Sequence, residues 1–295
     1  MQDIILHDQT QQALGQYLAR PSHAIVLLGP DGSGKLYLAQ SVAAELLAVG
    51  RAALGNQAYY RHLTAEKDKA SIGIEAVRDL LQFTKLRLPA TDARRVITIE
   101  GSHTLTTEAQ NALLKLLEEP PAGTHFILTA SSAQGLLPTI RSRSQQIIVH
   151  QPDMAALTAF FQAQGHDAQR VQQSVALSGG LPGLLAALLK SEEHPMKPAV
   201  ETARKLLQSS QFERLAMVDA MSKQKAETMQ VLFVLQHMAR AASVRAAAGA
   251  TSNYPAADKS IRQWHRIMKA AYEAERAYAV SAQSKLALTN LMLSL

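Results

Sequence analysis

Short apolar runs alternate with helically spaced apolar positions through the first half of the chain. Ala24-Ile-Val-Leu-Leu28, Val96 to Ile99 and Thr124 to Ala130 read as strands buried on both faces, the pattern of a parallel sheet covered by helices. Gln146 to Val149 reads as a further short strand. Between them, Leu38, Ala39, Val42, Ala43 and Leu46 recur at helical spacing, as do Ile74, Val77, Leu80 and Leu81, and then Leu113, Leu114, Leu116 and Leu117. The last of these helices should stop at Pro120, which has no amide hydrogen to continue it. A helix is also expected over residues 10–20. Residues 49–70 carry weak periodicity and the charged Glu66-Lys-Asp-Lys69 patch, and read as a surface connection.

After Pro152 the pattern becomes helical throughout. Residues 151–190, punctuated by Gly179-Gly-Leu-Pro-Gly183, predict a small helical lid of a helix, a glycine-containing turn and a second helix. Ser191-Glu-Glu-His-Pro195 reads as a linker, and residues 191–295 as an all-helical domain broken at Gly249 to Pro255. Its alanine, leucine and methionine positions have the spacing of core or oligomer packing. The expected architecture is thus an α/β domain over residues 1–150, with a parallel sheet and helices on both faces, followed by the lid and the helical domain.

Composition narrows the classes without choosing among them. No apolar run approaches the roughly 18 residues that would predict a membrane span. The opening Met-Gln-Asp-Ile-Ile-Leu-His-Asp lacks the basic start and apolar core of a secretory signal, and the chain has no cysteine, so the expected compartment is the cytoplasm. Without cysteine there is neither a disulfide nor a thiolate metal site, and no metal centre is expected. The net charge of +6 lies mostly in residues 151–295, with 16 Lys and Arg against 11 Asp and Glu, whereas residues 1–150 hold 14 against 13. That bias is compatible with a phosphate backbone nearby and equally with a solvated helical surface.

Candidate chemistry begins where the first strand runs into Gly29-Pro30-Asp31-Gly32-Ser33-Gly34-Lys35. Strand, glycine loop and helix in that order fit the P-loop pattern, in which backbone amides and a helix N-terminus face phosphates and the lysine reaches the outer ones. The next position, normally a magnesium-binding hydroxyl, is Leu36. The Val96 to Ile99 strand, which in a nucleotide-binding sheet ends in metal-holding and water-activating carboxylates, ends here in Glu100 and Gly101. Ser131 and Ser132 close the following strand, where ligands sit in open α/β sheets. His62 and His103 are isolated in the sequence and read as structural or surface residues.

With these residues in view, the chain resembles the AAA+ subunits of the bacterial sliding-clamp loader. The likeness rests on His23-Ala24 entering the P-loop strand, on Asn111-Ala-Leu-Leu-Lys-Leu-Leu-Glu-Glu-Pro-Pro121, and on Ile140-Arg-Ser-Arg-Ser144, in the expected order and covering most of the chain. The resemblance implies an AAA+ core, a lid and a C-terminal collar domain that packs in a hetero-oligomer. It also implies that Ser142-Arg143-Ser144 matches the family's Ser-Arg-Cys motif, in which an arginine finger is given in trans to ATP on a neighbouring subunit. Against the family pattern, Leu36, Glu100, Gly101 and Pro182 replace the magnesium hydroxyl, an Asp, the catalytic Glu and a second-sensor arginine.

Those departures resemble the non-hydrolysing, delta-prime type. Expected partners are delta and gamma or tau-like subunits, the sliding clamp, and primer–template DNA through the complex. The retained loop, Gly29 to Lys35, reads either as a vestigial fold element that holds no cofactor or as a site that binds ATP without hydrolysing it. The four-cysteine zinc module of many relatives is missing between Leu46 and Tyr60, so no zinc is expected. Two rivals stay open: an active ATPase resembling gamma or tau, and a free-standing DNA-binding protein using the basic C-terminal half.

Overall fold

A computed structural model describes residues 4–66, 71–190, 194, 196–247, 259–279 and 284–295. The chain divides into two compact units, Met1–Gln151 and Pro152–Leu295. The first unit runs α1 (Asp8–Ala19), β1 (Ala24–Leu28), α2 (Lys35–Leu47), β2 (Tyr60–Leu63), α3 (Ile74–Thr84), β3 (Arg95–Ile99), α4 (Thr107–Glu118), β4 (Thr124–Ala130), α5 (Pro138–Ser142) and β5 (Gln145–Ile148). Its five strands are all parallel, in the order β2-β3-β4-β1-β5.

Strand residues divide alternately between two cores, as the two-residue period requires. Val26, Ile97, Ile99, Phe126 and Leu128 pack on one face with Val77 and Leu80 of α3 and Leu113, Leu116 and Leu117 of α4. Ile25, Leu27, Val96, Ile127 and Ile147 pack on the other with Leu14 and Tyr17 of α1 and Leu38 and Val42 of α2. Helices therefore cover both faces, as the continuous apolar runs predict.

Strand β2 corrects the expectation of a surface connection over 49–70. Tyr60 is buried but Arg61 and His62 are exposed, because β2 lies at the edge of the sheet and pairs only with β3 among the described residues. An edge strand of this kind lacks the apolar run that marks the central ones. A 3₁₀ turn over Arg51–Asn56 precedes it. Of the charged patch there, Lys67, Asp68 and Lys69 lie outside the described residues.

The second unit contains α6 (Met154–Ala163), α7 (Ala168–Ser178), α8 (Pro182–Lys190), α9 (Lys197–Gln208), α10 (Gln211–Lys223), α11 (Lys225–Ala247), α12 (Ile261–Ala279) and α13 (Ser284–Ser294). Residues 154–190 thus hold three helices where two were expected, since Asp153 and Asp167 each cap a separate helix through side-chain oxygens. Leu181 and Leu184 share one core with Leu206, Leu235, Trp264, Tyr278 and Leu288 from the later helices. Most of the expected linker at Ser191–Pro195 and the whole break at Gly249–Pro255 lie outside the described residues. No described helix is long and apolar enough to cross a membrane.

Within this unit the His237 ring lies 4.3 Å from that of Phe233, centroid to centroid, and its Nδ1 is buried without a hydrogen-bond partner among the described residues. Burial, with a smaller contribution from Arg240, pulls its pKa down to about 4. The unfolded chain therefore takes up this proton first, near pH 6.5, and the folded state only near 4. Stability is whole above pH 6.5 and falls as the pH drops toward 4, by about 2–3 kcal/mol from this group. Urea titrations at pH 7 and pH 4.5 should show that loss in wild type and a smaller one in His237→Phe.

Candidate functional site

The carboxyl ends of the three central strands, β3, β4 and β1, bring Glu100, Ser131 and the glycine loop to one end of the sheet. The loop reaches α2 through Gly34, whose φ of +85° is open to glycine at little cost. Lys35, the first residue of α2, is 8% exposed, and its ammonium turns back onto the loop. Nζ donates to the carbonyls of Gly29 at 2.6 Å and Pro30 at 2.7 Å and meets Asp31 Oδ1 at 3.4 Å. An ammonium has three donors, and all three are engaged here. Burial lowers the Lys35 pKa, with Asp31 and then Glu100 acting against it. Ser33 Oγ is buried with no partner among the described residues.

Glu100 follows β3, and its amide donates to the Leu63 carbonyl at 2.8 Å. Its Oε2 lies 3.1 Å from Nε2 of His62 on β2. His62, which sequence reasoning left as an isolated residue, is therefore the partner of the remaining carboxylate. Gly101 next to it has φ +63° and ψ +40°, the left-handed region, and donates its amide to Thr129 Oγ1 at 3.0 Å. Ser102 Oγ donates to the Thr129 carbonyl at 2.9 Å, which ties this turn to β4. His103 follows, its Nδ1 3.4 Å from the Ser131 amide. Burial lowers the His103 pKa, while Asp31 raises it and Lys35 lowers it further, so the imidazole lies within the field of the glycine loop.

Arg143 stands apart from this cluster, directly after α5. Its Nη2 lies 2.8 Å from Glu118 Oε1, at the last residue of α4. Its Nη1 donates to the Thr139 carbonyl at 3.3 Å and to Ser142 Oγ at 3.4 Å. Ser142 Oγ itself donates to the Thr139 carbonyl at 3.0 Å. Ser144 Oγ is buried without a partner among the described residues.

The segment leading to α5 is held by Gln110, which is 6% exposed. Its Nε2 donates to the Leu105 carbonyl at 3.2 Å and the Gly135 carbonyl at 3.1 Å, and its Oε1 accepts the Leu137 amide at 2.8 Å. Sequence reasoning gave no role to Gln110 or Thr129, and quoted Glu118 only within the Asn111 to Pro121 string, without its partner. Glu118 alone carried a visible signal: an acid in the last turn of a helix, where the helix dipole disfavours it.

A glycine loop between β1 and α2, in a parallel sheet ordered β2-β3-β4-β1-β5 and covered on both faces, defines a P-loop α/β protein of the AAA+ type. Residues 7–153 match the family described as "DNA polymerase III, delta subunit". The chain is 34% identical over 218 residues to DNA polymerase III subunit delta' of Pseudomonas aeruginosa, covering 67% of this chain and 66% of that one. It is 32% identical over 218 residues to the subunit delta' of Yersinia pestis, covering 68% and 60%. The chain belongs to the DNA polymerase III delta-prime family. The matched part spans 66% and 60% of those two relatives' own lengths. Among solved structures, a DNA polymerase III gamma subunit-related protein of Thermotoga maritima covers 97% of this chain and 98% of its own, at 20% identity and a TM-score of 0.46.

Proposed function

We propose that the chain is a non-hydrolysing subunit of a sliding-clamp loader, giving Arg143 in trans to ATP on a neighbouring subunit. The observation that supports this reading is a contrast within one α/β unit. A guanidinium is presented at the surface, while the chain's own phosphate loop lacks the groups that would turn ATP over. Leu36 offers no metal ligand, the Lys35 donors are engaged by the loop, Gly101 has no side chain, and Glu100 faces His62. Without a metal clamp or a general base, the electrostatic stabilisation of phosphoryl transfer is missing at this loop. A guanidinium supplied in trans can stabilise the charge that develops on a transferring phosphoryl group. The proposed partners are delta and gamma or tau-like subunits, with the sliding clamp and primer–template DNA engaged through the complex. Nucleotide held at Gly29 to Lys35 would have to displace the Lys35 contacts and would remain unhydrolysed.

Steady-state ATP turnover tests the reading. The isolated chain should show none above background, and Lys35→Ala in this chain should leave the reconstituted loader's clamp- and DNA-stimulated rate unchanged. Turnover by the isolated chain that Lys35→Ala abolishes would instead make this an ATPase of the gamma or tau kind.

Reversion offers a second check. The double substitution Leu36→Thr, Gly101→Glu restores two of the four replaced side chains and leaves Glu100 and Pro182, while the left-handed backbone at Gly101 makes a glutamate cost about 1–2 kcal/mol there. The revertant should be less stable by that amount in a denaturant titration and still fail to hydrolyse ATP. Turnover at a rate comparable to that of a hydrolysing subunit would contradict this.

A further inference from the structure

Glu118 ends α4 against the helix dipole, so α4's own stability does not account for its place. What it touches is Arg143, at 2.8 Å, across a sequence separation of 25 residues. We propose that Glu118 is a positioning residue for Arg143. It aims the guanidinium before a phosphate arrives, in an inference that rests on reading Arg143 as a trans-acting finger.

Two roles are physically available to such a carboxylate, and magnitude separates them. As a lock, it would have to withhold Arg143 from a polyphosphate. The two side chains are 37% and 47% exposed, and an ion pair this exposed shifts an equilibrium by about fivefold at most. That is far too little to compete with a charged phosphate chain. As an aiming device, it needs only to select one arrangement of a long side chain from many. Nη2 on Glu118 and Nη1 on the Thr139 carbonyl and Ser142 Oγ fix both the position and the plane of the fork. Two of its five N–H donors have no acceptor among the described residues and stay available to an anion. Ordering the fork in advance lowers the entropy lost when it meets the phosphoryl group.

The test is ATP turnover by the reconstituted loader, with kcat and KM separated. Glu118→Ala should lower kcat by up to about fivefold with KM for ATP unchanged, since the nucleotide is held by the neighbour. Glu118→Gln keeps an oxygen acceptor at the same reach and should recover most of the loss. In an Arg143→Ala background, Glu118→Ala should have no further effect. A rise in turnover with Glu118→Ala would make it a lock. An equal loss in both backgrounds, or no recovery with glutamine, would make its role structural; either result overturns the proposal. If Arg143→Ala cuts turnover and Glu118→Ala does not, only the positioning role fails. If Arg143→Ala itself is silent, the finger reading fails with it.

Discussion

On the finger reading proposed above, Arg143→Ala is expected to lower ATP turnover about 10³-fold at the neighbouring site of a reconstituted loader, the low end of what arginine fingers contribute. Folding should hardly change. Alanine removes an ion pair between side chains 37% and 47% exposed and two long hydrogen bonds, worth together about 1 kcal/mol or less. Arg143→Lys sharpens the test. An ammonium keeps the charge but cannot reproduce a planar fork held on one side by Glu118 and on the other by Thr139, so it should recover little of the rate. Unchanged clamp- and DNA-stimulated turnover in Arg143→Ala, with an intact unfolding midpoint, would rule out the finger.

Gln110→Ala is expected to give the largest loss of stability from one polar side chain. The amide joins α4 to three backbone groups in two different segments, at Leu105, Gly135 and Leu137, with only 6% of its surface exposed. Alanine reaches none of them, and each buried group left without a partner costs about 1–3 kcal/mol. Partial entry of water reduces the sum, and we expect about 2–3 kcal/mol in total, a fall of roughly 4–10 °C in the midpoint for a unit of this size. Differential scanning calorimetry of the full chain measures it directly. A midpoint within a degree of wild type would show that Gln110 does not hold the segment leading to α5. Because that segment carries Arg143, the same variant should also slow the reconstituted loader.

The contrast between these residues and the glycine loop explains what could be read in advance. Strands β1, β3 and β4 announce themselves because both their faces are buried, so local composition reports their surroundings. The P-loop is legible for a related reason: its spacing is set by one strand, one turn and one helix start, all contiguous in sequence. Strand β2 has only Tyr60 fully inside and two exposed polar residues after it, a pattern shared with any surface segment. The pairings His62 with Glu100 and Glu118 with Arg143 join residues 38 and 25 positions apart, and no local period records which strand or helix end will lie beside which. Gln110 was hidden by its chemistry, since a glutamine within an amphipathic helix looks like any solvated position until its three partners converge on it.

Gly101 carries a consequence for any attempt to rebuild the site. A side chain can be exchanged by one substitution, but the turn at Gly101 has settled into a left-handed backbone, stitched to Thr129 through its own amide and through Ser102. A glutamate placed there would meet nothing nearer to its Cβ than Thr104 Oγ1 at 3.7 Å, but it would have to hold the left-handed backbone at a cost of about 1–2 kcal/mol. Relieving that strain would mean changing the hand of a turn that two hydrogen bonds to Thr129 hold in place. On the proposed reading, the backbone itself, and not only the missing side chain, opposes a carboxylate at this position.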